Sequence, residues 1–355
     1  MKALVVAGGP DNRLRPLSGT TPPQLLPVAN RPVLLHCLDN LRAAGITEVG
    51  VVVGERGEAI RAAVGDGSGL GLRVTYLTQP EPLGLAHCVL LAREFLGDED
   101  FVMYLGDNVV VGGIAAMVEQ FRRRRCAAQV LVTKVSNPGQ YGVAEVDHEG
   151  RVWGVAEKPS EPRNDLALVG VYCFGPAIHR AVQALSAVRR DRLEITDAIQ
   201  WLVGRGHPVY AEAFNGFWKD TARVDDVLEC NRVLLESVTH DCAGEVDERS
   251  QLVNPVVIEA GARVVRSRIV GPAVIGAGTT VVDSYVGPYT ALGKDCLLSG
   301  AGIEYSIVLD RVSVRQVRRI HGSIIGRSAE VSLSAGEMAR HRLVISDDSR
   351  VEVAA

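Results

Sequence analysis

The last third of the chain repeats every 17 residues, and this repeat restricts the possible folds more than any other feature. Apolar residues recur there at intervals of five or six, without helical phasing. Four pairs keep the 17-residue spacing: Val264 and Val281, Ile269 and Val286, Ile275 and Leu292, and Gly276 and Gly293. Such repeats stack as coils of a parallel β-helix, each burying its apolar faces on its neighbours. We therefore predict a β-helix domain over residues 241–355, with a small β-sandwich as the alternative.

Residues 1–240 instead alternate short apolar runs with amphipathic segments. The pattern predicts strands over residues 3–7, 48–53, 72–77, 101–105 and 168–174, and helices over residues 31–44, 55–64 and 85–95. Strands and helices that alternate at this spacing form βαβ units, with a mainly parallel sheet and helices on both faces. The sequence thus predicts a Rossmann-like α/β domain over residues 1–240.

The composition excludes several classes of protein. Hydrophobic residues make up 47% of the chain and charged residues 23%, as in soluble globular proteins, and the net charge of -4 argues against a nucleic-acid partner. No apolar run approaches the roughly 18 residues that span a bilayer, and no signal peptide is recognisable. We therefore expect a cytoplasmic protein with no membrane partner. The seven cysteines lack a C-x-x-C pair, which argues against a disulfide framework or a thiolate zinc site.

A glycine turn followed by arginines comes directly after the first predicted strand. Gly8 and Gly9 end the apolar run, and Arg13 and Arg15 follow. Ligands of open α/β sheets bind at the carboxyl ends of strands. Backbone N–H groups of a glycine turn can surround an anion, and guanidinium groups match phosphate oxygens. The stretch predicts a phosphate site, and an ordinary turn with solvated arginines is the alternative.

Other short motifs lie where predicted strands end or helices begin. They are QPEPLGLAH (79–87), GDN (106–108), YGV (141–143), EKP (157–159), LEITD (193–197) and FWKDT (217–221). Asp107 alone is equally consistent with a turn or a helix cap. The order of the motifs along the chain is much harder to attribute to chance, and it predicts one ligand site.

Residues 8–32 resemble the signature of the sugar-1-phosphate nucleotidyltransferases, L-A-G-G-x-G-T-R-L-x-P, then a lysine, then P-V-x-x-K-P. This chain departs from the signature at Asp11 and Asn12, which replace a glycine and a threonine, and at Pro23, where the catalytic lysine is expected. The order and spacing of all the motifs are similar to those of the long-form glucose-1-phosphate thymidylyltransferases. The resemblance covers nearly the whole chain, including a carboxyl-terminal left-handed β-helix.

The resemblance implies a nucleotidyltransferase that joins a sugar or cyclitol 1-phosphate to an NTP, with dTTP and glucose 1-phosphate as first choices. It further implies Mg²⁺ and a homo-oligomer, either a tetramer or a dimer. The implied nucleotide-binding residues are Leu4, Gly8, Gly9, Asp11, Arg13, Gln79, Gly84 and Asp107. The implied sugar-phosphate residues are Tyr141, Gly142, Glu157, Lys158, Val169, Arg190 and Trp218. Asp107 and Asp220 would bind the metal, and the catalytic set would be Arg13, Asp107, Lys158 and Asp220.

The departures from the signature leave other functions open. Asp11 puts a carboxylate near the expected triphosphate, and Pro23 removes a cation and a backbone donor. Arg15, Arg31 or a relocated loop could replace that charge, and Asp11 could become a metal ligand. The alternatives are a diverged paralogue that binds ligand without efficient transfer, and a β-helix acyltransferase with His321 as its candidate base.

Overall fold

The computed structural model describes residues 1–8, 14, 21–54, 57–188, 192–334 and 343–354. The chain divides into two compact units. One comprises Met1–Pro10 and Leu34–Lys219, and the other comprises Asp11–Val33 and Asp220–Ala355. The predicted domain boundary after residue 240 stays a prediction.

Strands and helices alternate through the first two-thirds of the chain. The strands are β1 (Lys2–Val6), β2 (Pro27–Val28), β3 (Arg31–Pro32), β4 (Glu48–Val53), β5 (Arg73–Thr78), β6 (Phe101–Leu105), β7 (Asn108–Val111), β8 (Ala128–Lys134), β9 (Gly142–Val146), β10 (Val152–Glu157), β11 (Leu166–Phe174), β12 (Val209–Ala213) and β13 (Phe217–Asp220). The helices are α1 (Val33–Ala43), α2 (Gly57–Val64), α3 (Leu85–Leu91), α4 (Arg93–Leu96), α5 (Ala115–Arg124), α6 (Ala177–Val188), α7 (Ile195–Gly204) and α8 (Val224–Leu235).

A nine-stranded sheet forms the centre of the first unit. Its strand order is β10-β9-β11-β6-β1-β4-β5, and β8 pairs with both β11 and β12. Strands β5, β4, β1 and β6 run parallel, whereas β11 runs antiparallel to β6, β8 and β9. The apolar residues of β1, β4 and β6 are buried, as expected of parallel strands covered on both faces. The predicted Rossmann-like α/β fold is confirmed, and the sheet is a mixed one.

Strand β11 changes partners along its length, and this change opens the sheet. Ala167 lies opposite Val143 of β9, whereas Val171 lies opposite Tyr104 of β6. Because β11 and β6 are antiparallel, the residues just before Val171 lie beside the loop that follows β6. Asp107 is in that loop. The sheet therefore separates β9 from β6 at the carboxyl end of β6, where ligands of open α/β sheets bind.

The second unit contains a stack of short strands. They are β14 (Asp241–Cys242), β15 (Glu245–Val246), β16 (Gln251–Val253), β17 (Val256–Ile258), β18 (Arg263–Val265), β19 (Arg268–Val270), β20 (Ala273–Ile275), β21 (Thr280–Val282), β22 (Tyr285–Val286), β23 (Thr290–Leu292), β24 (Leu297–Ser299), β25 (Gly302–Glu304), β26 (Ile307–Val308), β27 (Ser313–Arg315), β28 (Ile320–His321), β29 (Ile324–Ile325), β30 (Glu330–Ser334), β31 (Val344–Ile345) and β32 (Arg350–Ala354).

These strands form three parallel sheets, and each strand pairs with the corresponding strand of the next coil. The orders are β14-β17-β20-β23-β26-β29-β31, β15-β18-β21-β24-β27-β30-β32 and β16-β19-β22-β25-β28. Val264 lies opposite Val281, and Ile269 opposite Val286, with all four side chains buried. The 17-residue repeat is therefore one coil, and the predicted left-handed β-helix is confirmed. None of the helices in the described ranges has the length and hydrophobicity needed to cross a membrane.

Candidate functional site

The predicted ligand residues of the first unit follow the carboxyl ends of neighbouring parallel strands. The backbone N–H of Ala7 donates to Val52 O (2.8 Å), and that of Gly106 donates to Val6 O (2.9 Å). These bonds keep the ends of β1, β4 and β6 level with one another. Gly8 and Asp107 therefore leave the same edge of the sheet, as the sequence predicted.

Gln79 is the centre of the predicted nucleotide end of the site. Its side chain is buried, and its Nε2 donates to Gly84 O (3.4 Å) and lies 3.1 Å from His87 Nδ1. Burial lowers the pKa of His87, so the neutral ring can accept this bond. A Cβ atom on Gly8 would lie 3.5 Å from Gln79 Oε1. The structure thus brings together three residues predicted to bind nucleotide and adds His87.

Gly84 requires the glycine backbone. Its φ is +98°, and a Cβ atom there would collide with the backbone oxygen of Leu193, to which the N–H of Ala86 donates (2.9 Å). Because φ near this value is strained for any residue with a side chain, the turn before α3 depends on glycine. The turn fixes the distance between Gly84 and Gln79.

A chain of side-chain contacts runs from Asp107 to Tyr141. Asn108 Nδ2 donates to Asp107 Oδ1 (2.8 Å), and Trp218 Nε1 donates to Asn108 Oδ1 (2.6 Å). The ring of Tyr141 then packs edge-on against Trp218, with centroids 5.4 Å apart. Asn108 is 2% exposed, so solvent cannot replace either bond. This chain holds the half-buried Asp107 carboxylate at the opening of the sheet.

The predicted sugar end of the site is built on β9 and β10. Lys158 N donates to Tyr141 O (3.0 Å), and Gly142 lies opposite Glu157. Glu157 Oε2 accepts from the buried Thr196 hydroxyl (3.2 Å), and Glu157 Oε1 lies 3.5 Å from Lys158 Nζ. These contacts place a carboxylate and an ammonium group side by side. The first can accept bonds from sugar hydroxyls, and the second can pair with a phosphate.

Carboxylates crowd this end of the site. Burial raises the pKa of Glu194, and the nearby charge of Glu157 raises it further. Arg192 forms an ion pair with Glu194, which opposes the shift. The partly desolvated pair of carboxylates is suited to hydroxyl groups rather than to a second anion.

Some predicted residues do not present a side chain to the site. Leu4 and Val169 are fully buried, Leu4 opposite Met103 in the sheet and Val169 in β11, so either would reach a ligand only through its backbone. Asp220 ends β13 and belongs to the second unit. Four further predicted residues lie outside the described residues: Gly9, Asp11, Arg13 and Arg190.

The donor set fits magnesium better than zinc. Across the described ranges, no group of three or more His, Cys, Asp or Glu side chains forms a metal cage. Mg²⁺ commonly takes only one or two carboxylates from the protein and completes its shell with phosphate oxygens and water. The anchored carboxylate of Asp107 meets that requirement.

Sequence reasoning missed four residues that position the site. Asn108 holds Asp107 and Thr196 holds Glu157. His87 contacts Gln79, and Glu194 shares the charge of the sugar end. Asn108 follows Asp107 directly, and Thr196 and Glu194 are part of LEITD, so the motifs had marked their segments. Asn108 and Trp218 are 110 residues apart in the sequence, and Thr196 and Glu157 are 39 residues apart. A local sequence pattern cannot reveal contacts at such separations.

Known proteins resemble this chain over most of its length. A family model described as nucleotidyl transferase matches residues 2–237. The glucose-1-phosphate thymidylyltransferase of Streptomyces griseus is 52% identical over 353 residues, and that of Streptomyces antibioticus 51% over 354, each alignment covering 99% of both chains. A solved Bacillus anthracis structure with bound sucrose, provisionally described as a glucose-1-phosphate thymidylyltransferase, is 28% identical with a TM-score of 0.62. It covers 68% of this chain and 97% of its own.

Proposed function

Because this chain belongs to the nucleotidyl transferase family, we propose that it transfers a thymidylyl group from dTTP to glucose 1-phosphate or a closely related sugar phosphate. The full-length similarity to two thymidylyltransferases supports the choice of base and sugar. One observation carries the proposal. A connected set of contacts joins Asp107, Asn108, Trp218, Tyr141 and Lys158 where the sheet opens.

The reaction needs alignment and charge neutralisation more than bond-making groups from the protein. An oxygen of the sugar phosphate attacks the α-phosphorus of the NTP, and the bond from that phosphorus to the bridging oxygen of pyrophosphate breaks. Both reactants are anions, so their approach costs electrostatic energy that the site must offset. Bound Mg²⁺ would supply part of that neutralisation, and Asp107 with Asp220 are its proposed ligands.

The remaining roles follow from the contacts. Lys158 lies beside Glu157, so the ammonium group would pair with the sugar phosphate while the carboxylate accepts bonds from sugar hydroxyls. Gln79, fixed by Gly84 and His87, would hydrogen-bond the nucleobase. Asn108 would keep Asp107 in place without touching a substrate.

Pro23 is the feature that tests this proposal most severely. It opens a short 3₁₀ helix, Pro23–Leu25, and carries no cation where the resemblance expects lysine. Two relatives that match the whole chain are named thymidylyltransferases, which favours transfer over a paralogue that only binds ligand. The replacement charge would come from Arg15, from Arg31 or from a relocated loop.

The decisive experiment is a screen of pyrophosphate release with Mg²⁺, in which every NTP is combined with several sugar 1-phosphates. We expect turnover with dTTP and glucose 1-phosphate or a related sugar, and its loss in Lys158→Gln. Arg163→Gln, on the loop after β10, is the matched control and should keep activity. Nucleotide binding without release in any combination would instead support the binding-only paralogue. A cytoplasmic location and a homo-oligomer are parts of the same proposal.

A further inference from the structure

A polar groove of about 960 Å³ lies on the β-helix, entirely within the second unit. Strands β16, β19, β22, β25 and β28 and the turns that precede them supply its walls. Five arginines line it: Arg249, Arg266, Arg268, Arg318 and Arg319. None of its lining residues belongs to the proposed nucleotidyl transfer site.

Positive charge is in excess in the groove. Its two carboxylates already have partners: Asp283 forms a two-pronged ion pair with Arg266 (2.7 Å for each bond), and Glu304 Oε1 lies 3.2 Å from His321 Nδ1. The other four arginines form no ion pair or side-chain hydrogen bond with the residues that the structure describes. Five arginines and two carboxylates line the groove, so three positive charges are in excess when His321 is neutral.

Arginines elsewhere on the described β-helix have polar partners. Arg263 pairs with Glu245, Arg327 with Asp310, and Arg311 with the hydroxyl of Ser328. Within the described coils, every arginine without a partner lines the groove. Because neighbouring like charges repel, such a group is costly unless an anion balances it. The concentration of unpaired guanidinium groups at one place therefore indicates an anion site.

The 17-residue register sets the dimensions of the site. Arg268 lies opposite Tyr285, and Tyr285 opposite Gly302, and the same register brings Arg319 to the next coil. Neighbouring strands are about 4.8 Å apart, so the backbones at Arg268 and Arg319 are about 14 Å apart. The long side chains of Arg268 and Arg319 can therefore both contact one small-molecule ligand that lies between them.

Gly302 and Tyr285 line the groove between the two ends. Gly302 is buried and adds no side chain to the groove. Tyr285, 38% exposed, lies on the preceding coil and offers an aromatic face. The absence of a side chain at Gly302 leaves room for a ligand between the arginines, and the tyrosine gives it an apolar surface on which a sugar or base can pack.

We propose that this groove binds a small phosphorylated ligand that carries a diphosphate, with Arg318 and Arg319 on the phosphates and Tyr285 against the organic part. Guanidinium groups match phosphate oxygens in geometry and charge. The volume is that of a small-molecule site rather than of a surface for a polymer. The groove also spans only five strands, and the chain as a whole carries a net charge of -4, both of which disfavour nucleic acid.

Arginine-selective labelling locates the site directly. The full-length protein would be treated with phenylglyoxal, with and without inorganic pyrophosphate, and each arginine's rate of modification measured by peptide mass spectrometry. At pyrophosphate near ten times its dissociation constant, modification of Arg268, Arg318 and Arg319 should slow about tenfold. Arg263 and Arg315, exposed on another sheet of the same coils, should not change. Equal protection at all five positions, or none, would overturn the proposal.

Calorimetry then tests the affinity. Wild-type protein should bind ADP in the groove, and Arg318→Ser with Arg319→Ser should weaken that binding at least tenfold. The control, Arg263→Ser with Arg315→Ser, removes the same charge and should keep the wild-type affinity for ADP. A groove variant that binds ADP unchanged but alters the molecular mass in light scattering would overturn the proposal in favour of an interface between copies. The labelling and the mass are independent of nucleotidyl transfer, so the two proposals can fail separately.

Discussion

Replacing Asn108 with leucine should separate the anchoring of Asp107 from its chemistry. Leucine has a similar volume but can neither donate to Asp107 nor accept from Trp218. If Asn108 acts only by holding these neighbours, Asn108→Leu should lower the rate without removing any group that touches substrate. Asn108 is thus a positioning residue, and the loss of stability on its replacement follows from its two hydrogen bonds.

The two bonds differ in strength. The bond from Trp218 Nε1 (2.6 Å) joins neutral groups and is worth about 0.5–1.5 kcal/mol, whereas the bond to Asp107 (2.8 Å) involves a charge and is worth about 1.5–3 kcal/mol. Because Asp107 is only half-buried, the lower end of the second range applies. The free energy of unfolding should therefore fall by about 2–3 kcal/mol. Residues that orient a metal ligand usually contribute about 10- to 100-fold, so kcat/KM should fall by that factor.

Two further variants make the measurement specific. Trp218→Phe keeps the ring beside Tyr141 and removes only the N–H, so its loss in kcat/KM should be smaller than that of Asn108→Leu. Gln129→Leu is the stability control, because Gln129 of β8 is fully buried and donates to Gln120 of α5 and Glu212 of β12. Urea unfolding should show a comparable loss of stability in Gln129→Leu, while the pyrophosphate-release assay shows no loss of rate.

The Mg²⁺ dependence decides the interpretation. If Asn108 anchors a metal ligand, Asn108→Leu should need more Mg²⁺ for half-maximal rate than wild type does. Equal losses of kcat/KM in Asn108→Leu and Gln129→Leu would refute the anchoring role, since both would then act through stability alone. An unchanged Mg²⁺ requirement would separate Asn108 from the proposed metal site.

The other predictions concern charge, the loop, pH and assembly. Asp107→Asn or Asp220→Asn should abolish Mg²⁺-dependent turnover with the circular dichroism spectrum unchanged, and full Mg²⁺ dependence in either would remove that residue from the proposed metal site. Pro23→Lys with Asp11→Gly should raise transfer by at least about 10², and a slower double variant would show that the loop serves another substrate. Burial lowers the pKa of His179 from 6.5, so the unfolded chain takes up a proton first, and stability should fall as pH drops below about 6.5. His179→Phe should flatten that decline in urea unfolding between pH 7.5 and 5.5, and an unchanged slope would exclude His179 as its cause. Light scattering should report a dimer or tetramer, and a monomer at micromolar concentration would contradict this.

The sequence predicted the elements whose neighbours are local in the chain. Strands 48–53 and 101–105 were found at the predicted bounds because each is an apolar run ended by turn residues. The 17-residue repeat predicted the register of the β-helix for the same reason. The antiparallel half of the main sheet was not predicted, because β11 changes partners within one continuous apolar run and no residue type marks that change.

The sequence predicted the main residues of the candidate site but not the residues that hold them in place. The motifs supplied Gln79, Asp107 and Lys158, whereas the hydrogen bond between Asn108 and Trp218 joins residues too distant in sequence for spacing to reveal. The groove was missed for another reason. The repeat was recognised from its buried apolar positions. The exposed position that Arg268 and Arg319 share has the same period, but Tyr285 and Gly302 occupy it in the coils between them, so no repeat is visible there.

The second unit takes its residues from two separate parts of the chain, and this limits how such a protein can be recombined. Asn30 Nδ2 donates to Leu292 O (2.6 Å), and Arg327 donates to the Thr21 hydroxyl (2.6 Å). A gene fusion with one junction after residue 240 would therefore carry Thr21 and Asn30 away from the coils that hold them. An exchange of β-helices between relatives would succeed only if the early segment travelled with the coils, or if both parents shared its contacts. The second unit therefore cannot be exchanged as one continuous segment of the chain.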